Sequence, residues 1–242
     1  MIETAFSDNV KMELTKALLL YEGGNRSYAT THVIVKGPKG SLSIGEGTPV
    51  NVGMLSVLME KLGRNTAVGG FIPPHILSAG FDSLVWWTKP ANRRVFFKTT
   101  EKVIGERSEV TPHPGLIFGI NSSGKWAVYA VRGGDRPQED TPLYQAPYFN
   151  VWNTGNICRG TVDLPESIST EDTARWEENF FASNFTHPNV HQSMKLVKRK
   201  SGPYRFWKSV LDGKYETFPE NALVPANITL KDFIKNVGGG AA

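Results

Sequence analysis

Between residues 133 and 169 the chain places Gly133, Gly134, Pro137, Pro142, Pro147, Gly155, Gly160 and Pro165 too closely for long regular elements to form. The same stretch carries Tyr144, Tyr148, Phe149, Val151, Trp152 and Ile157, which makes it too apolar for a disordered linker. A long irregular segment of this kind is stable only if it is ordered by packing on a core built by its neighbours. The fold must therefore supply a rigid scaffold on both sides of it.

The flanking sequence offers that scaffold. Residues 1–50 read as a β extension, with strands at Met12 to Tyr21, Tyr28 to Lys36 and Ser41 to Ile44. The turn signals Gly23-Gly24-Asn25 and Gly37-Pro38-Lys39-Gly40 separate them. A helix follows, capped by Asn51 and stopped near Gly63, with Val52, Leu55, Leu58, Met59 and Leu62 on one face. Four strands are expected next: Ser83 to Thr88, Arg94 to Thr99, Gly115 to Ile120 and Lys125 to Val131. Lys89-Pro90-Ala91-Asn92 reads as the turn joining the first pair, and Asn121-Ser122-Ser123-Gly124 as the turn of a hairpin joining the last. A second helix starts near Thr170, with Glu171 and Asp172 in its first turn and Trp176, Phe180 and Phe181 on its apolar face. A last short helix begins at Thr229 and uses Phe233, Ile234 and Val237. These spans predict an α+β chain: an N-terminal β extension over 1–50, a main domain over 51–237 with an antiparallel four-strand meander flanked by helices, and a flexible tail over 238–242.

The 242 residues hold a single cysteine, Cys158, inside the irregular stretch. One thiol excludes an intrachain disulfide framework, a Cys-rich zinc module and a Cys-ligated cluster. No apolar run approaches the roughly 18 residues of a membrane helix, and no basic flank with a long apolar core marks a signal peptide. The expectation is a soluble protein of the cytoplasm, with no membrane contact. The formal charge of +4 is mild and points to an acidic partner surface more than to nucleic acid.

Three features make the segment around Cys158 a candidate reactive-thiol site. It lies between rigid elements. Its polar residues and glycines allow another chain to come close. Arg159 sits beside the thiol, a neighbour that favours the thiolate. On residue types alone, a small buried apolar cysteine is the more ordinary reading.

The segment Tyr148-Phe149-Asn150-Val151-Trp152-Asn153-Thr154-Gly155-Asn156-Ile157-Cys158-Arg159-Gly160 resembles the active-site stretch of ubiquitin-conjugating (E2) enzymes. That family carries His-Pro-Asn, a short variable run, then Gly, one residue, an aliphatic residue and the catalytic Cys. Asn150, Gly155, Ile157 and Cys158 match at the same offsets, while Tyr148-Phe149 replace His-Pro. The motifs Trp86-Trp87-Thr88, Arg136-Pro137, Thr141-Pro142-Leu143-Tyr144, Ala146-Pro147 and Phe185-Thr186-His187-Pro188 narrow the likeness to prokaryotic E2 family D, which includes protein B of the plasmid-associated PRTRC cassettes. The resemblance covers roughly residues 80–190.

The resemblance implies an E2 (UBC)-like fold and an acyl carrier. Cys158 would receive a ubiquitin-like modifier from an E1-like adenylating enzyme, hold it as a thioester and release it to an amine of a target protein. Asn150 would stabilise the oxyanion, a contribution of about 3 kcal/mol in known sites, or brace the loop. Tyr148 would replace the missing His-Pro bracing by stacking or through its hydroxyl. Asp163, Glu166 or Ser167 would take the place of the residue that orients the amine. The chain itself would need no cofactor, since ATP is used by the partner, and a JAB-type peptidase is implied as a further partner. A role in mobile-element biology or phage defence follows from the same likeness. Two other functions stay open: a non-catalytic E2-like binding module, and a Cys-His hydrolase pairing Cys158 with His187.

Other motifs carry less. His187 and His191 have the spacing of a zinc pair, but Pro188 disfavours the helix such a pair needs, and no metal is expected. Lys195, Lys198, Arg199, Lys200, Arg205 and Lys208, interleaved with Tyr204, Phe206 and Trp207, resemble a nucleic-acid footprint. The favoured expectation is a solvated hairpin whose aromatic side chains face the core. Trp86-Trp87 and Phe96-Phe97 are expected in the core and on sheet faces, and no P-loop is present.

Overall fold

The computed structural model describes residues 13–24, 26–61, 71–80, 82–160, 162–165, 168–191 and 194–239. Two compact units divide the chain between residues 66 and 67.

The first unit is a three-stranded antiparallel sheet followed by one helix. Strands β1 (Lys16–Gly23), β2 (Arg26–Lys36) and β3 (Leu42–Pro49) lie in that order. Helix α1 spans Val52–Lys61, and the Asn51 side chain accepts the Met54 N–H at 2.9 Å, the cap expected of an Asn at that position. The proposed stop at Gly63, with Leu62, lies outside the described residues.

The second unit is built on a six-stranded antiparallel sheet in the order β12-β10-β9-β8-β5-β4. Its members are β4 (Ile76–Ala79), β5 (Ser83–Thr88), β8 (Gly115–Asn121), β9 (Trp126–Val131), β10 (Pro142–Gln145) and β12 (Pro225–Thr229). A second sheet pairs β6 (Ala91–Lys98) with β7 (Glu106–His113) antiparallel, and β6 with β11 (Asn184–Phe185) parallel. Helices α2 (Thr173–Ala182), α3 (Gly202–Leu211) and α4 (Leu230–Val237) complete it.

The sheet is covered on both faces, and the two-residue side-chain period of its strands shows this. Leu84 and Trp86 of β5, Leu116, Phe118 and Ile120 of β8, and Trp126 and Val128 of β9 join the core that also contains α2 and α3. The alternate residues Val85, Trp87, Ile117, Tyr129 and Val131 face the other way and pack with Leu230, Phe233 and Val237 of α4. Close approach of α4 requires Gly119, because a Cβ there would lie 2.6 Å from Val237 and 2.7 Å from Phe233. The Thr229 hydroxyl and the Asp232 carboxylate form a capping box that starts α4 where the sequence places it.

Three expectations are corrected. The four strands do not form a consecutive meander: β5 pairs directly with β8, and β6 leaves for the second sheet to pair with β7. Only residues 89–90 link β5 to β6, and Ala91 and Asn92, expected in a turn, already belong to β6. Glu171 and Asp172 precede α2 instead of occupying its first turn, with Asp172 at the N-cap position. The basic segment is no hairpin, since residues 202–211 form α3, with Pro203 in its first turn and Phe206, Trp207, Val210 and Leu211 buried. Its aromatics do face the core, which leaves Phe206 and Trp207 unavailable for stacking on bases.

Much of the stretch expected to be irregular packs on the core, as its composition demands. Leu143, Ala146, Tyr148, Phe149, Val151 and Ile157 are all buried. Residues 142–145 within it form β10, paired between β9 and β12 in the large sheet. Of the tail expected over 238–242, residues 240–242 lie outside the described residues.

Candidate functional site

Cys158 is exposed and sits at the end of a tight loop on the edge of β9. Its N–H donates to the Asn150 carbonyl at 2.8 Å, closing residues 150–158 into a ring. Bridges between Val151 and Ile157 and between Ala127 and Asn156 bind the ring internally and to β9. Ile157 N–H donates to Trp126 O at 2.8 Å, and Val128 N–H to Gly155 O at 2.8 Å. The thiol is therefore presented by backbone anchored on both sides. Gly155 holds φ +78° with the Tyr129 ring 2.4 Å from where a Cβ would stand, so only glycine fits.

Asn150 is 7% exposed, and its amide donates to Ser183 Oγ at 2.9 Å. Ser183 in turn donates to Phe180 O at 2.7 Å, so the Cys158 loop is tied to the end of α2. The Asn150 Oδ1 is buried with no hydrogen-bond partner among the described residues. In this arrangement the amide nitrogen is engaged by Ser183.

Tyr148 is fully buried and stacks on His113 at 5.6 Å between ring centroids. Its hydroxyl lies 2.8 Å from His113 Nδ1. His113 Nε2 lies 3.2 Å from the Arg93 carbonyl, which can only accept. The Thr111 hydroxyl lies 3.1 Å from the same nitrogen, so the His113 ring is held by Tyr148 on one side and by Thr111 and the Arg93 carbonyl on the other. Burial drives the His113 pKa down to about 3 and the Tyr148 phenol well above its ordinary value, so both groups are neutral. The pair fixes the entry to the loop from within the core.

Arg159 is exposed, and its guanidinium donates to the Gly124 carbonyl of the β8–β9 turn. With Lys125, Asn156 and Ile157 it borders a cleft of about 340 Å³ beside Cys158. Burial lowers the Lys125 pKa, and its ammonium donates to Asn236 O at 2.8 Å. Asp163 is exposed, with its carbonyl accepting from Asn179 Nδ2 at 2.7 Å, which ties the stretch after Cys158 to α2. Glu166 and Ser167 lie outside the described residues. His187 is exposed, and its Nδ1 is 3.0 Å from the Thr186 hydroxyl. Among the described residues no three His, Cys, Asp or Glu side chains gather as metal ligands.

The structure thus brings Cys158, Asn150, Tyr148 and Arg159 into one loop system. Several residues that hold it were not singled out by sequence. Trp207 of α3 donates to Pro147 O at 2.7 Å, Asn189 N–H to Phe149 O at 2.9 Å, and Gln145 to Trp152 O at 3.2 Å. Ser183 and His113 belong with them. The spacing of Phe206, Trp207, Val210 and Leu211 after Gly202-Pro203 was a usable helix signal for α3. Nothing local marks the other partners.

The family model for prokaryotic E2 family D matches residues 54–226, from within α1 to within β12 and spanning the whole Cys158 loop. The chain belongs to prokaryotic E2 family D. No curated protein and no solved structure gives a significant match. Among the described residues no helix is long and apolar enough to cross a membrane.

Proposed function

We propose that this protein carries a ubiquitin-like modifier as a thioester on Cys158 and passes it to an amine. The observation that carries the reading is the exposure of the only thiol on a loop locked by backbone hydrogen bonds, inside the region matched by the E2 family model.

In the first step the Cys158 thiolate attacks the carbonyl of the thioester joining an E1-like enzyme to the modifier's C-terminus. The E1 thiolate leaves, and ATP has been spent on that enzyme alone. In the second step an amine of a target attacks the new thioester. An amide forms, the amine loses a proton, and the Cys158 thiolate departs. Asn150 and Tyr148 hold the loop still, Arg159 lends positive charge near the thiol, and Asp163 orients the amine. The conjugating domain spans residues 51–237, with residues 1–50 as an added β extension. The likeness to PRTRC protein B makes an E1-like enzyme, a modifier and a JAB-type peptidase the natural partners, in a mobile-element or phage-defence setting.

A second reading, a docking module without catalysis, is favoured by one observation: the Asn150 amide is buried and already used by Ser183. One experiment separates the two. The protein is mixed with an E1-like enzyme that charges itself, the modifier and ATP, then run on gels with and without reductant. The expected result is a reductant-sensitive adduct, absent in Cys158→Ala and replaced in Cys158→Ser by a reductant-resistant ester. An adduct that persists in Cys158→Ala overturns the assignment of this residue, and no adduct with a charged E1-like enzyme supports the docking module.

A further inference from the structure

The sheet of the first unit ends on one side in β1 and on the other in β3. An edge strand presents a row of unpaired N–H and C=O groups, which invites another strand unless the sequence obstructs it. The two edges differ in this respect. Strand β3 carries Gly45, Glu46, Gly47 and Pro49, and its pairing with β2 shifts register between His32 and Ile34. Charge, proline and a bulge all discourage a further strand. Strand β1 has no proline and no register shift against β2. Leu18-Leu19-Leu20 lie at its centre, and its only charges are Lys16 and Glu22.

The hydrogen bonds show which backbone groups of β1 are open. Ile34 N–H donates to Thr15 O at 3.0 Å, so the odd-numbered residues here turn their backbone groups toward β2. That direction alternates along an antiparallel strand, and Lys16, Leu18, Leu20 and Glu22 therefore turn theirs outward. No strand among the described residues pairs with that side. The side chains are uncovered as well. Leu18 is 47% exposed, Leu20 71% and Tyr21 48%. Lys16 and Glu22 are exposed and make no ion pair among the described residues.

This edge is complementary to itself. A two-fold axis at Leu19 sets two copies of β1 antiparallel, with Leu18 of each copy opposite Leu20 of the other and Lys16 opposite Glu22. Both pairings join outward-turned residues, so each exchanges two N–H···O bonds. Opposite charges facing each other across the strands add to the pairing. The same register sets the Tyr21 ring against the small Ala17. Registers with the axis at Leu18 or Leu20 also join outward-turned residues, but they place Lys16 against Leu20 or Glu22 against Leu18 and lose both ion pairs.

We propose that the first unit is a dimerisation module, in which β1 pairs with β1 of a second copy about a two-fold axis at Leu19. Two three-stranded sheets become one sheet of six strands. Such an interface uses the same patch on both chains and closes on itself, so assembly stops at two. One strand pair is a small interface, which makes the dimer reversible, with a Kd on the order of 10 μM.

The test is sedimentation velocity of the full chain under reductant, which keeps Cys158 from linking two copies, from about 1 μM to about 300 μM. The mass is expected to rise from one chain to two. Lys16→Glu and Glu22→Lys each set like charges against each other in both pairs and should weaken dimerisation about tenfold. Both sites are exposed, so neither change disturbs the fold. An equimolar mixture of the two variants should recover wild-type strength, because in the mixed dimer both pairs are again of opposite charge. Leu20→Pro removes an outward N–H without touching a bond to β2 and should also leave monomer. A wild-type chain that stays single across the range overturns the proposal and leaves the edge to a strand of another protein. Assemblies beyond two chains, wild-type association in Lys16→Glu, or a mixture no stronger than its components also overturn it. None of these outcomes depends on whether Cys158 forms a thioester.

Discussion

The side-chain amide of Asn150 donates a 2.9 Å hydrogen bond to the hydroxyl of Ser183, joining the loop that presents Cys158 to the end of α2. Both residues are buried, at 7% and 9% exposure, so the bond is shielded from competing water. If the amide is a brace, its partner matters as much as the amide does. Ser183→Ala and Asn150→Ala should each lower unfolding stability by about 1–3 kcal/mol, because each leaves a buried polar group unpaired. Both should also slow adduct formation on Cys158 to a similar extent. A rate that falls a hundredfold or more in Asn150→Ala and stays near wild type in Ser183→Ala would instead assign an oxyanion role to the amide.

Gly155 and Gly160 both hold positive φ, +78° and +54°, but only the first is walled in. Gly155→Ala drives a methyl into the Tyr129 ring and should cost about 3 kcal/mol or more, with the Cys158 loop displaced. Gly160→Ala meets open space and should cost only about 1 kcal/mol from backbone strain. Urea unfolding of the two variants checks the difference.

His113 makes folding stability depend on pH. Its pKa is about 3 in the folded protein against 6.5 in the open chain, through desolvation by burial. Between those values the unfolded state binds the extra proton, so stability is complete above pH 6.5 and falls as pH drops toward 3. The shift corresponds to a loss on the order of 5 kcal/mol across that window. Removing both members of the buried pair, in His113→Phe with Tyr148→Phe, should reduce the slope of stability against pH by about one proton. An unchanged slope in urea unfolding from pH 6.5 down to pH 4 would mean that other groups control acid sensitivity.

Thr229 caps α4, which covers the second face of the large sheet. Thr229→Ala should lower stability by about 1 kcal/mol, and Thr229→Ser by much less, since serine keeps the capping oxygen. Equal losses in thermal melts would show that the methyl group, not the cap, matters.

Local signals read well where a residue's role is set by its neighbours in sequence. The β8–β9 hairpin follows from Asn121 to Gly124, the bounds of β5 from its apolar run, the start of α4 from Thr229, and the cap of α1 from Asn51. The buried, irregular stretch around Cys158 was legible from composition. Strand β7, Glu-Arg-Ser-Glu-Val-Thr-Pro-His, carries two glutamates, an arginine and a proline, and it forms a strand only because β6 pairs with it along its whole length.

By itself the sequence determined that the one thiol would sit on an ordered loop between a sheet and a helix, and that Gly155, Ile157 and Asn150 would accompany it. Only the tertiary structure decided that this thiol faces solvent, that Asn150 is spent on Ser183, and that Tyr148 is locked to His113. It also decided that β6 leaves the large sheet. These outcomes rest on contacts such as Tyr148 with His113, Asn150 with Ser183 and Trp207 with Pro147, which join residues far apart in the chain. Hydrogen bonding and burial select such partners from the whole folded chain, whereas propensity and turn chemistry act over only a few neighbouring residues.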